Sequence, residues 1–240
     1  MIVSEKSMKP ISADNRALVS ARINRRFEHL FFIGMSVAFI ITVFAGFART
    51  YFLRPYFFSN SVPPLLHLHG IVFTLWPVFV VIQTVLVASN RTRVHRRLGI
   101  VGAFLVVSMV VVGTVTAIVR AKQNAVALGS TAPLAGLEMP LGDMVVFPLL
   151  IGAALYFRNK MDVHKRLMLL ATVSIMAPAI IRIPFAFIQT GPLVFFGLTD
   201  LFIVACMVYD FVSRGRVHQA TLLGGLIIVV SQLVRVMLLS

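Results

Sequence analysis

The sequence predicts an all-α protein, a bundle of seven transmembrane helices. Apolar residues make up 59% of its 240 residues, charged residues make up 12%, and the mean hydropathy is +0.94. A soluble domain of this length cannot bury so large an apolar fraction in one core, whereas a bilayer is itself an apolar solvent. The apolar residues also fall in seven runs, each close to the roughly 20 residues that a helix needs to cross a membrane.

Short polar segments separate the seven runs. Residues 189–192 divide the fifth run from the sixth, and the Gly-Pro pair there favours a turn over one very long helix. We therefore expect a basic cytoplasmic tail over residues 1–29, with an interfacial helix near 15–27, and a single transmembrane domain over 30–240. The predicted spans are approximately residues 30–48, 64–87, 98–119, 140–157, 167–188, 193–212 and 220–238.

Lysine and arginine predict the orientation of the bundle. The N-terminal tail and every second loop hold 16 of these residues, whereas the intervening loops hold 4. Because cytoplasmic loops carry the excess of positive charge, we expect a cytoplasmic N-terminus and a periplasmic C-terminus. The formal charge of +14 thus acts as a topology signal, and the expected partner is the lipid bilayer rather than nucleic acid. The sequence does not indicate an oligomeric state.

Several motifs of pumps and membrane enzymes are missing. The sequence has no Walker loop, no G-x-S-x-G elbow and no H-E-x-x-H pair, which disfavours an ATP-driven pump and a standard zinc hydrolase. The lone Cys206 excludes an intrachain disulfide. Whether the chain is an enzyme stays open at this point.

Three short segments at the predicted cytoplasmic ends share a Val-His pattern. They read VHRRL at 94–98, VHKRL at 163–167 and VHQ at 217–219. We therefore interpret the second to seventh helices as three diverged hairpins, each with a histidine at its inner turn.

Seven segments between Gly46 and Arg235 are together specific. They are GFARTYFLRP (46–55), LHLHG (66–70), VHRRLG (94–99), PLGDM (140–144), VHKRLMLLAT (163–172), LTDLF (198–202) and RGRVH (214–218). Through them the chain resembles a widespread family of bacterial polytopic integral membrane proteins whose activity is uncharacterised. The resemblance implies the helical architecture and a place in the bacterial inner membrane. A weaker similarity to cytochrome b561-type proteins lies in the basic loop with its histidine, followed by Leu98 and Gly99.

Ionisable residues inside the spans predict a polar site in the outer half of the bundle. Each such residue costs roughly 2.5–3.5 kcal/mol at the membrane centre, so it is expected to face the interior. We expect Arg182 to pair with Asp143 or Asp200; the alternative is that such a pair only stabilises the bundle. A seven-residue spacing places His69, Trp76 and Gln83 on one helix face. The candidate ligand-binding residues are His67, His69, Trp76, Gln83, Asp143, Arg182 and Asp200.

The residue types are compatible with two cofactors, a divalent metal and haem. By ligand type, His69, Asp143 and Asp200 would suit a first-row divalent metal. On a regular helix His67 points away from His69 and cannot join it. The cytochrome similarity implies haem ligation by His95, His164 or His218, which share one depth; the alternative is that these three are interfacial histidines solvated by water and headgroups.

The leading hypothesis is a membrane protein that binds a small ligand or cofactor in the outer half of the bundle, with haem or metal redox chemistry as its most concrete form. One alternative is a permease whose Arg182 engages an anionic substrate, and another is a non-catalytic assembly factor. We expect His69 to matter more than His95, His164 or His218, because its helix face points to the interior whereas the other three lie in basic loops.

Overall fold

The computed structural model describes residues 13–128 and 136–239, and within these ranges it contains helices and turns but no strand. The predicted all-α class is confirmed. The helices of the described part are α1 (Ala13–Phe47), α2 (Pro64–Ala88), α3 (Thr92–Leu128), α4 (Glu138–Tyr156), α5 (Met161–Ser174), α6 (Ala177–Ile180), α7 (Pro192–Arg214) and α8 (Gln219–Leu239).

Six of these helices are long and apolar enough to cross a membrane: α1 from Arg25 onward, α2, α3, α4, α7 and α8. The chain therefore has the helices of an integral membrane protein, as predicted. The helix expected near residues 15–27 is continuous with α1 rather than separate from it, and residues 1–12 of the predicted tail lie outside the described residues.

The helix predicted over residues 167–188 is interrupted. Helix α5 ends at Ser174 and α6 ends at Ile180, each four residues before a proline, Pro178 and Pro184. A proline lacks the N–H that would bond to the carbonyl four residues earlier, and its ring clashes with that carbonyl. The 14 residues of α5 rise only about 21 Å, less than the hydrocarbon core of a bilayer.

The interrupted segment packs closely on the end of α1. A Cβ atom added at Gly46 would lie 2.0 Å from the carbonyl oxygen of Ala179 in α6. Only a residue without a Cβ permits this approach of two backbones. The contact brings the end of α1 beside α6, and the π-helical turn Ala48–Phe52 follows directly in the chain.

The core between α2, α4 and α5 is built around Trp76, which is 1% exposed. Its indole N–H donates a hydrogen bond to the Thr172 hydroxyl at 3.2 Å, and its ring meets the Phe147 ring edge-on with centroids 5.1 Å apart. Trp76 therefore has a packing role, with its one polar atom satisfied inside the bundle.

The two ends of the bundle differ in chemistry. Asp162 at the start of α5 forms an ion pair with Arg214 at the end of α7, with 2.8 Å between Oδ1 and Nη2. We name this the basic end; it carries the turn that contains VHQ and the starts of α3 and α5, which contain VHRRL and VHKRL. His95 and His164 therefore lie on helices rather than in the predicted loops. Near the start of α4, Asp143 pairs with Arg235 of α8 at 2.7 Å and marks the opposite end.

The contact between Gly46 and Ala179 predicts a large effect of one methyl group. Gly46→Ala should lower the stability by about 1–3 kcal/mol, because backbone atoms on both sides cannot yield as a flexible side chain would. The control is Gly34→Ala in the same helix, where an added Cβ meets no described atom within 4 Å and should be tolerated. Thermal unfolding of the detergent-solubilised variants measures both, and equal melting temperatures would contradict the contact.

Candidate functional site

The buried ion pair of the opposite end joins Asp143 to Arg235. The guanidinium Nη1 donates to the Asp143 carboxylate at 2.7 Å and to the carbonyl of Met139 at 3.2 Å. Both charged side chains are buried, and the guanidinium carbon lies 5.1 Å from the centroid of the Phe196 ring. These contacts compensate the cost of taking both charges out of water.

Two further features fit this ion pair. A Cβ atom at Gly142 would lie 2.4 Å from Cδ of Arg235, so the glycine of the PLGDM segment leaves room for the arginine stem. The second expected carboxylate, Asp200, accepts a hydrogen bond from Gln232 at 3.0 Å. Helix α8 thus supplies the partners of both carboxylates.

The predicted pairing of Arg182 with Asp143 or Asp200 is wrong. Arg182 donates to the carbonyl of Pro178 and lies 4.9 Å above the Phe47 ring, and it forms no ion pair within residues 13–128 and 136–239. The prediction assumed a continuous helix, and the interruption after Ser174 changes the direction in which Arg182 leaves the backbone.

Two buried polar atoms find no hydrogen-bond partner among the described residues. They are the Nδ1 atom of His69 and the hydroxyl oxygen of Thr50. The His69 ring stacks on Phe73 with centroids 4.1 Å apart and lies within electrostatic range of Arg182. Buried polar atoms are usually satisfied, so this group is a candidate ligand site.

The structure does not bring the predicted metal ligands His69, Asp143 and Asp200 together. Within the described ranges no three His, Cys, Asp or Glu side chains are grouped so that they could hold one metal ion. His67 is exposed and lies beside Tyr51, whose hydroxyl is 3.2 Å from the imidazole Nδ1.

A second candidate site lies at the basic end, where His95 of α3 meets His164 of α5. Their ring centroids are 6.4 Å apart, and both residues are half-buried. The Nδ1 atom of His164 is 2.8 Å from the carbonyl oxygen of Ala154. A carbonyl only accepts, so Nδ1 carries the proton and the neutral ring keeps a lone pair on Nε2.

Gln83 completes this second site. Its amide nitrogen donates to the backbone carbonyl of His95 at 3.4 Å. The amide oxygen of Gln83 and the Nδ1 atom of His95 are buried and have no partner in the part of the chain that is described. Two polar atoms next to a histidine pair are thus left available.

His218 does not join the other two candidate haem ligands. Its ring Nδ1 accepts a hydrogen bond from the backbone N–H of Ala220 at 3.0 Å. The backbone N–H of His218 donates to the Asp210 carboxylate at 3.1 Å. The Val-His pattern therefore places its three histidines in two different environments.

Sequence reasoning missed a buried charge network at the basic end. Arg166, which is 3% exposed, donates twice to Asp210, which is 0% exposed, and Thr221 donates to the other carboxylate oxygen. A signal existed, since Asp210 is an acidic residue inside an apolar run. Outside the spans, burial acts to raise the pKa of Asp162, but hydrogen bonds from Lys165 and Arg214 outweigh it and hold that pKa below its usual range.

Comparison of the chain with protein-family models, with curated proteins and with solved structures finds no match. Two groups contain polar atoms that could bind a ligand: the His95–His164 pair with Gln83, and His69 with Arg182.

The Asp143–Arg235 pair predicts that a double substitution is milder than a single one. Arg235→Gln should cost about 3–5 kcal/mol, because it leaves a buried carboxylate without its counter-charge. Adding Asp143→Asn should recover much of this loss, since a neutral amide is cheaper to bury. Denaturation in detergent compares the two proteins, and a double variant as unstable as the single one would show that the charges are not coupled.

Proposed function

We propose that this chain is an integral membrane protein that holds a metal centre between His95 and His164, with haem iron as the form that the cytochrome similarity implies. The observation that carries the proposal is the approach of the two imidazoles, with ring centroids 6.4 Å apart on different helices. With metal–nitrogen bonds of about 2.0–2.1 Å, two imidazoles on one ion can have ring centroids at most about 6.4 Å apart. The spacing of His95 and His164 lies at this limit.

The hydrogen bond from His164 to Ala154 supports this role. Histidines that ligate a metal commonly donate their other ring N–H to a carbonyl or carboxylate, which fixes the tautomer and the ring direction. His164 has this arrangement, with 2.8 Å between Nδ1 and the carbonyl oxygen. The free Nε2 is the atom that would bind the metal.

His95 and Gln83 supply the remaining donor atoms. Both carry a buried atom without a partner among the described residues, a nitrogen on His95 and an oxygen on Gln83. Neutral nitrogen and oxygen donors of this kind suit iron, copper or zinc, so these residues fit a metal centre. A haem held by His95 and His164 would supply one-electron transfer. The proposal shifts the emphasis from His69, which sequence reasoning favoured.

We further propose seven membrane crossings in the bacterial inner membrane, with a cytoplasmic N-terminus. The end-to-end contacts support the fifth crossing, because α5 begins beside the end of α7, where Asp162 bonds Arg214. The chain from Met161 to Gly191 therefore has to return to the opposite end before α7 begins. The loop charges, with 16 against 4 lysines and arginines, support the orientation.

The absorption spectrum and metal content of the purified chain test the metal centre. We expect a Soret band if haem is bound, or a stoichiometric metal in elemental analysis if it is not. His95→Ala and His164→Ala should each lose most of it, because a single imidazole binds far more weakly than a pair.

His218→Ala is the matched control, since it removes a histidine of the same end that does not belong to the pair. It should retain the bound group. A colourless, metal-free wild-type protein, or equal losses in all three variants, would contradict the proposal.

A second candidate function is favoured by Arg182. This arginine has no carboxylate partner within the described ranges, and His69, whose Nδ1 atom is unsatisfied there, lies within its electrostatic range. An anionic small molecule would supply the missing charge and acceptors. The chain would then be a receptor or permease for such a molecule.

A thermal-shift series with small carboxylates and phosphates tests this second function. A ligand that binds the folded state raises its melting temperature, and Arg182→Gln should abolish that rise. The control is Arg49→Gln, which removes the same charge from another arginine that lies over an aromatic ring, Phe57. Loss of the shift in both variants, or in neither, would argue against a site at Arg182.

A further inference from the structure

The turn between α7 and α8 borders an open cavity of about 450 Å³ at the basic end. This volume lies within the roughly 300–1,000 Å³ of small-molecule sites. The described lining contains two arginines, one histidine and no carboxylate: Arg214, Arg216, Val217, His218 and Gln219. Its charge therefore favours an anion.

The carboxylates nearest to this cavity are already engaged. Asp210 accepts hydrogen bonds from Arg166 on one oxygen and from the backbone N–H of His218 on the other. Asp162 accepts from Arg214 at 2.8 Å. Neither carboxylate is left to repel an anion, and their bonds hold the turn in place.

Two hydrogen-bond donors of the lining remain free. Since Nδ1 of His218 accepts from Ala220, the proton of its neutral ring is on Nε2, which is a donor. Burial, together with Arg166 and Arg214, lowers the pKa of His218, so the neutral ring prevails at pH 7. Arg216 is exposed and makes no hydrogen bond or ion pair in the described part of the chain.

The surroundings of the cavity are those of a membrane interface. The 23 residues of α7 rise about 34 Å, slightly more than the hydrocarbon core, so the turn after Arg214 reaches the headgroup layer. Apolar side chains beside the turn are exposed: Phe211, Val212, Leu222 and Leu223 at 63%, 67%, 53% and 58%. Acyl chains can lie along them.

We infer that this cavity binds the phosphate of an anionic phospholipid headgroup, with Arg216 and His218 as the donors. Arginine matches phosphate oxygens with paired N–H groups, and basic pockets between transmembrane helices are known to recognise such headgroups. A free phosphate ion offers the same oxygens, but the exposed apolar side chains at the rim favour the lipid. This inference is independent of the metal centre.

Native mass spectrometry of the full chain in detergent tests the inference. The protein is titrated separately with short-chain phosphatidylglycerol, phosphatidylcholine and inorganic phosphate. We expect tighter binding of phosphatidylglycerol than of the other two. Arg216→Gln should weaken phosphatidylglycerol binding about tenfold, as expected for a lost hydrogen bond to a charged group, whereas Arg216→Lys should keep most of it.

Arg93→Gln is the matched control, because Arg93 is another exposed arginine of the basic end and has no interaction in the described residues. It should bind phosphatidylglycerol as the wild type does. Equal weakening in both glutamine variants would mean diffuse attraction to a basic surface and would overturn the site. So would a wild-type protein that prefers phosphatidylcholine or binds inorganic phosphate equally well, whatever the variants do.

Discussion

The steric exclusion between Pro178 and the carbonyl of Ser174 determines much of this architecture. It ends α5 after 14 residues, and Pro184 ends α6 in the same way. The interrupted backbone can approach α1 only because position 46 is a glycine. Arg182 follows the break and therefore turns to Phe47 instead of to the carboxylates of α4 and α7.

Hydropathy predicted the membrane class and the approximate positions of six spanning helices, because it depends on composition over about 20 residues. The fifth predicted span, residues 167–188, is not one continuous helix. Pro178 and Pro184 were visible in the sequence, but whether a proline kinks a helix or ends it depends on its neighbours. Pro77 and Pro148 lie inside α2 and α4, which remain continuous.

The sequence indicated which residues belong to the candidate sites better than which residues contact each other. Depth along the spans identified Asp143 and Asp200 as residues that need partners, and the Val-His pattern identified His95 and His164. Depth does not reveal which helices are neighbours, so Arg235 and Gln232 were missed as partners of the two carboxylates. The link between Gln83 and the backbone of His95 also depends on the packing of two helices and has no sequence signature.

Side chains at both ends of α8 form hydrogen bonds or ion pairs with the carboxylates of α4 and α7. Thr221 near its start bonds Asp210, and Gln232 and Arg235 near its end bond Asp200 and Asp143. It is also the last of the described helices to leave the ribosome. Until it inserts, Asp143 and Asp200 lack these partners in an apolar medium, where an unpaired carboxylate is costly. Chains that stop before α8 should therefore be recognised as incomplete by membrane quality control, although most of their spans are already made.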